Sequence, residues 1–168
     1  MRYNAAGKAA LAFALVFVAG CEEIVDLEPE EVAVRAAQAL PPGGTVTTDF
    51  TVDVAVDNFS TRTLYAETSC DWVIEKLDVS TWVTAYTAPC TVETFLEIAP
   101  KTTGSLTLAA LVAERVDPAL APPGIYRVRL AIEATYSRIR RQEVPEASRT
   151  SNEFSVIVEV PATSLGAR

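Results

Sequence analysis

Four arginines crowd one late stretch of the chain. Arg138, Arg140, Arg141 and Arg149 lie between Tyr136 and Thr150, with only Glu143 and Glu146 against them. A guanidinium presents a planar fork of N–H donors that binds carboxylates and phosphates in bidentate fashion. The whole chain has 14 basic and 22 acidic residues, a net charge of −8, so a segment of net positive charge is a local reversal of sign. The connection is also longer than the roughly two to five residues a hairpin needs. These four arginines are therefore candidate partner-binding residues, suited to a carboxylate- or phosphate-rich partner. The plainer alternative is a solubilising loop, or Arg138 and Arg140 prolonging a strand as its charged outer face.

Other chemistry is harder to build from these residues. There is no histidine among the 168, which removes Ser-His-Asp and Cys-His nucleophilic catalysis and His-ligated zinc. Nothing in the sequence brings two carboxylates into one cleft for acid–base work. Asp49, Asp53 and Asp57 look like a metal ladder. However, four residues along a strand span about 13 Å, and calcium needs its oxygens at about 2.3 to 2.6 Å. A solvated strand face is the better reading. The expectation is a protein that is not an enzyme and takes no cofactor or metal. Its acidity also makes it a poor nucleic-acid binder. Trp72 and Trp82 are candidate ligand-stacking aromatics, with core packing the stronger expectation.

The elements that must position these residues are strands. Phe50, Val52, Val54 and Val56 alternate with Thr51, Asp53, Ala55 and Asp57, the period-two pattern of a half-buried strand. Further extended pieces follow at Leu64 to Glu67, Cys70 to Leu77, Trp82 to Tyr86, Phe95 to Ile98, Leu106 to Val112, Tyr126 to Glu133 and Phe154 to Val160. Pro122-Pro123-Gly124 marks a turn. Seven or eight short strands with frequent turns predict an all-β antiparallel sandwich. Glu31 to Leu40 stays open between a short helix and a first strand. Pro41-Pro42-Gly43-Gly44 then opens the domain proper, expected over residues 45–163.

The N-terminus has a different character. Arg2 and Lys8 precede an apolar run from Ala9 to Gly20. A spanning helix needs about 20 apolar residues, so residues 1–20 fit an export signal. The run ends in Val18-Ala19-Gly20-Cys21, which resembles the lipobox of bacterial lipoproteins. That resemblance implies cleavage before Cys21, lipidation of Cys21, and a membrane anchor in the bacterial cell envelope. Glu22 in place of Asp leans towards the outer membrane. With Cys21 lipidated, Cys70 and Cys90 remain as an even pair, and an oxidising compartment makes a disulfide between them the default. Closing such a loop contributes roughly 3 kcal/mol on the chain-entropy model. Residues 21–44 then form the lipidated cysteine and tether, with six acidic and no basic residues over 22–31. In a bacterium the glycosylation pattern Asn58-Phe59-Ser60 is accidental.

A second resemblance covers residues 45–160. Gly124-Ile125-Tyr126-Arg127-Val128-Arg129-Leu130, with the Cys70-to-Cys90 segment, is similar to bacterial immunoglobulin-like domains. It implies that Tyr126 supplies a tyrosine corner, its hydroxyl bonding back to the preceding connection. Such a fold leaves function open. The expectation is a lipid-anchored, non-catalytic binding or assembly module, with an envelope protein as possible partner. A protease or hydrolase inhibitor and a purely structural lipoprotein are the alternatives.

Overall fold

The computed structural model describes residues 27–39, 49–137 and 140–157. Among these the chain is all-β, its only helical pieces being single 3-10 turns. Eleven strands are present: β1 (Val32–Ala39), β2 (Phe50–Asn58), β3 (Leu64–Glu67), β4 (Trp72–Asp78), β5 (Thr81–Thr87), β6 (Phe95–Ile98), β7 (Thr103–Ala110), β8 (Gly124–Leu130), β9 (Ile132–Ser137), β10 (Arg140–Glu143) and β11 (Phe154–Val156). One sheet has the order β1-β2-β7. The others, β11-β8-β4-β5 and β10-β9-β3-β6, are two ends of one bent layer, because β3 runs into β4 and β8 into β9. At the bend Glu67 N–H donates to Ala131 O and Ala131 N–H donates to Asp71 O, both at 2.9 Å. Residues 68–70 bulge out between these two bonds. The result is an immunoglobulin-like antiparallel sandwich.

Alternation dictates the core. Phe50, Val52, Val54 and Val56 are all buried, as are Tyr126, Val128 and Leu130 on the facing layer. Phe50 lies edge-on to Tyr86 with ring centroids 5.4 Å apart, and tilted against Tyr126 at 5.6 Å, geometries that aromatic quadrupoles favour. The Tyr126 hydroxyl donates to Leu120 O at 2.9 Å. This is the expected tyrosine corner, reaching back across the Pro122–Pro123 turn, whose peptide is cis. Burial pushes the Tyr126 phenol well above its ordinary value.

Two expectations need correction. Val32–Ala39 is a strand paired with β2 along its whole length, from Val32 opposite Asn58 to Ala39 opposite Thr51. Val32, Val34 and Ala36 are buried, and Leu27 joins the same core. The sandwich therefore begins well before residue 45, and the expected tether over 21–44 gives up residues 27–39 to the domain. The alanines there serve the packing of a strand. Tyr136 to Thr150 is also not one long loop. Arg140–Glu143 returns as a strand beside β9, with Arg140 opposite Ser137. Val144 is then buried, and a turn over Glu146–Arg149 leads to β11. The glycosylation pattern at Asn58 is expected to be accidental, and its side chain is structural. Its amide Nδ2 donates to the carbonyls of Arg62, Ile98 and Ala99 at 2.7, 3.1 and 3.0 Å. The residue is buried, which leaves no room for a glycan.

Candidate functional site

The bulge at residues 68–70 is organised by one buried carboxylate. Glu67 Oε1 accepts from Ser69 N–H at 2.9 Å, Ser69 Oγ at 2.9 Å, Cys70 N–H at 3.1 Å and Thr94 N–H at 3.2 Å. Burial alone would raise its pKa. The backbone and hydroxyl donors outweigh that and hold it below the usual carboxylate range, as hydrogen bonds to the charged form do. The bulge carries Cys70, which is disulfide-bonded to Cys90 in the connection between β5 and β6, with Cα atoms 4.0 Å apart. The bridge ties the kinked strand to a neighbouring loop, as expected from the short sequence separation of 20.

The outer face of the bent layer carries the charged chemistry. Glu75 on β4 stands opposite Arg127 on β8, and Val73 opposite Arg129. Glu75 is buried, between Arg127 Nε at 2.6 Å and Arg129 Nη2 at 3.3 Å. The Arg127 guanidinium also covers the Trp82 ring at 4.4 Å, a cation–π contact. Trp72, by contrast, is a core residue, 3% exposed. The two tryptophans therefore divide: one packs the interior, and the other is capped by an arginine of its own chain.

The candidate arginines meet different fates. Arg138 lies outside the described residues, as does Cys21. Arg140 is exposed on the edge strand β10. Arg141 stacks its guanidinium on Tyr65 at 3.8 Å and lies 3.5 Å from Glu133. Arg149 pairs with Glu143 at 2.7 Å. Two of the three described arginines thus have carboxylate partners inside the chain, Glu133 and Glu143, which stand opposite each other on β9 and β10. The sign reversal of the segment is largely cancelled by Glu133 and Glu143, carboxylates of β9 and β10 that lie close by along the chain.

A concavity lies beside Arg149. A cleft of about 310 Å³ is lined by Cys70, Asp71, Trp72, Val73, Thr87, Arg129, Leu130 and Arg149. The Nε atoms of Arg129 and Arg149 are buried and have no hydrogen-bond partner among the described residues. Neither atom is open to solvent, so neither is presented to a ligand, and Asp71 keeps the cleft from being uniformly positive. Sequence reasoning missed Arg129 and Glu75 here. The alternation of Arg127 and Arg129 on one outward face was the available signal, but their shared partner depends on cross-strand register. Asp49, Asp53 and Asp57 do not converge: Asp57 is held by Arg35 at 2.7 Å and by Thr103 at 2.7 Å, and Asp53 by Thr107 at 2.8 Å. No metal-binding cluster occurs among the described residues.

The chain matches no known protein family, and no curated protein is similar to it. Several solved structures are similar to it at low identity. A structural-genomics target is 13% identical, covering 83% of this chain and 95% of that one, with a TM-score of 0.46. A Bordetella pertussis protein assigned to ApaA is 16% identical over 79% of this chain and 94% of that one, with a TM-score of 0.38. The CARDB domain of a Pyrococcus furiosus protein, solved in complex with di-metal ions, is 15% identical over 81% of this chain and 97% of that one, with a TM-score of 0.33. None of these likenesses bears on function.

Proposed function

We propose that this protein is a lipid-anchored module of the bacterial cell envelope that acts by binding or assembly and not by catalysis. One observation carries the reading. The Cys70–Cys90 disulfide uses two of the three cysteines, and the one left over stands at the end of an apolar signal in Val18-Ala19-Gly20-Cys21. A disulfide belongs to an oxidising compartment, and a lone cysteine in an exported chain calls for its own explanation. Lipidation at Cys21 supplies it. Leu27 is already part of the core, so residues 22–26 would hold the sandwich within roughly 18 Å of the membrane surface, at about 3.3 to 3.6 Å per extended residue. Five residues is a short leash, and the acidic side chains in it keep the domain off an anionic surface. Glu22 favours the outer membrane.

An envelope protein is the partner we propose, approaching through carboxylates. Arg140, exposed on the edge strand, offers the acceptor-seeking group. Mass spectrometry of the N-terminal peptide from wild-type cells should show a modified Cys21, and Cys21→Ser should leave the protein unprocessed or outside the membrane fraction. An unmodified Cys21 in the mature protein would overturn the anchor. Pull-down with Arg140→Ser should lose partner relative to wild type, and wild-type capture should weaken with salt. Capture that ignores both changes would overturn the docking face.

A further inference from the structure

Sheet edges expose unpaired backbone donors and acceptors, and proteins blunt them with charge, proline, shortness or a cover. Most edges here are blunted. The outer edge of β1 is covered by the chain after the last 3-10 turn: Asn152 bonds both Ala36 N–H and Ala36 O, at 2.9 and 3.0 Å, and Val34 bridges Ser151. On β5, Val116 N–H donates to Ala85 O at 2.9 Å and Arg115 bridges Tyr86. β6 and β10 are four residues each, and carry Glu97, and Arg140, Arg141 and Glu143 respectively. β7 has none of these devices. It is eight residues long, reads Thr-Gly-Ser-Leu-Thr-Leu-Ala-Ala, and contains no charge and no proline. It pairs with β2 on one side, and no strand among the described residues pairs with its other side. Its outward side chains Ser105, Thr107 and Ala109 are too small to shield the backbone.

We infer that β7 is a self-association edge, and that its occupant is β7 of a second copy, antiparallel across a two-fold axis. Two features select a second copy. An isologous contact must be self-complementary, and an antiparallel uncharged strand is. The strand also adds no like-charge repulsion, in a protein whose surface is otherwise acidic. Side-chain alternation then fixes the register. Directly opposed residues share a face, so the axis must pass through a residue and not between two. Placing it at Thr107 sets Leu106 opposite Leu108 of the second copy, Ser105 opposite Ala109, and Gly104 opposite Ala110. Leu106 is half-buried at this edge, packed against the core, and would be covered by the second copy's Leu108. The pairing makes one continuous sheet of six strands.

This deepens the assembly half of the proposed function and is independent of the lipid anchor. Every core residue among the described ones lies between Leu27 and Val156, so a chain of residues 22–168 keeps the core whole and tests the edge without Cys21. Sedimentation equilibrium of that chain should show a concentration-dependent dimer. Thr107→Lys should make it monomeric with its thermal midpoint kept, because Asp53 lies beside position 107 to pair with the new charge. In the Thr107→Cys variant, mild oxidation should link two copies, since opposed Cα atoms lie about 4.5 to 5.5 Å apart, within disulfide reach. In Ala109→Cys the two thiols sit four residues out of register, roughly 13 Å along the strand, and should not link. Three results would overturn the proposal: a monomer at every concentration, a dimer that survives Thr107→Lys, or equal cross-linking by both cysteine variants. Each leaves the mass of the Cys21 peptide, and so the anchor, to stand or fall separately.

Discussion

The backbone N–H of Cys70 donates to the carboxylate of Glu67 at 3.1 Å, so the half-cystine and the acid three residues before it hold the same kink. Ser69 and Thr94 add their donors to the same oxygen. Disulfide and carboxylate are two independent fasteners on one bulge, and the carboxylate is the one that titrates.

Its pKa is lowered on folding, so its contribution is present in full above the unfolded value, about 4.3 for glutamate. It fades as pH falls through the lower folded value. Glu67→Gln should cost about 1.5 to 3 kcal/mol at neutral pH, the range for hydrogen bonds to a charged group. The difference from wild type should shrink below about pH 4. Urea midpoints measured at pH 7 and pH 3.5 check this. A gap that stays constant between the two would show that the carboxylate's charge is irrelevant to the bulge.

Tyr126→Phe removes the hydroxyl that reaches Leu120 O and leaves the ring packed on Phe50. The expected loss is about 1 kcal/mol, the net worth of one hydrogen bond, read as a lower denaturant midpoint at unchanged slope. An unchanged midpoint would mean the corner contributes nothing to stability.

How much of this was legible beforehand depends on whether a residue's partner is near in sequence or set by register. Phe50, Val52, Val54 and Val56 announce a buried face by alternation alone, because burial on one side of a strand needs no knowledge of the neighbouring strand. Gly124 and Tyr126 announce the corner only through the resemblance to bacterial immunoglobulin-like domains, in which a turn glycine precedes such a tyrosine. Arg140-Arg141-Gln142-Glu143 announces nothing. An edge strand with both faces polar has no apolar period, so it is indistinguishable from a charged loop until its pairing with β9 is known. Val32 to Ala39 is ambiguous for the opposite reason: alanines suit a helix, and only the pairing with Phe50–Asn58 decides. The arginine segment looks free for the same reason. The carboxylate against Arg141 is Glu133, which the sequence places across a hairpin not visible in composition.

Arg141 therefore carries a structural expectation. Its guanidinium covers Tyr65 at 3.8 Å and approaches Phe95 at 5.4 Å. Arg141→Ser should lower stability by about 0.5 to 2 kcal/mol, mostly from the lost stacking, since the exposed pair with Glu133 adds little. Arg141→Lys should restore only part of it, because an ammonium lacks the planar fork. Arg140→Ser, on the exposed edge, should stay within about 0.5 kcal/mol of wild type. Thermal midpoints of the three variants separate the cases. Equal behaviour at positions 140 and 141 would contradict the stacked geometry.

The remaining prediction concerns Glu75, where the outer face is most tightly coupled. Its carboxylate is buried and shared, one oxygen meeting Arg127 Nε at 2.6 Å and the other Arg129 Nη2 at 3.3 Å. Arg127 is additionally held over Trp82, whereas Arg129 also reaches Glu146 at 3.7 Å, on an exposed side chain. Removing the shared acid leaves two partly covered guanidinium groups facing each other without compensation, so Glu75→Gln should cost about 1 to 3 kcal/mol. A double-mutant cycle isolates each pair. The Glu75–Arg127 coupling should be about 1 to 2 kcal/mol, and the Glu75–Arg129 coupling smaller, because its contact is longer and Glu146 partly substitutes for the lost partner. Raising the salt concentration should reduce the second coupling more than the first, since the more exposed pair is the better screened. Equal couplings, or none, would mean that Glu75 is tolerated at this position without binding either arginine, and that the face is held by Trp82 and the strand pairing alone.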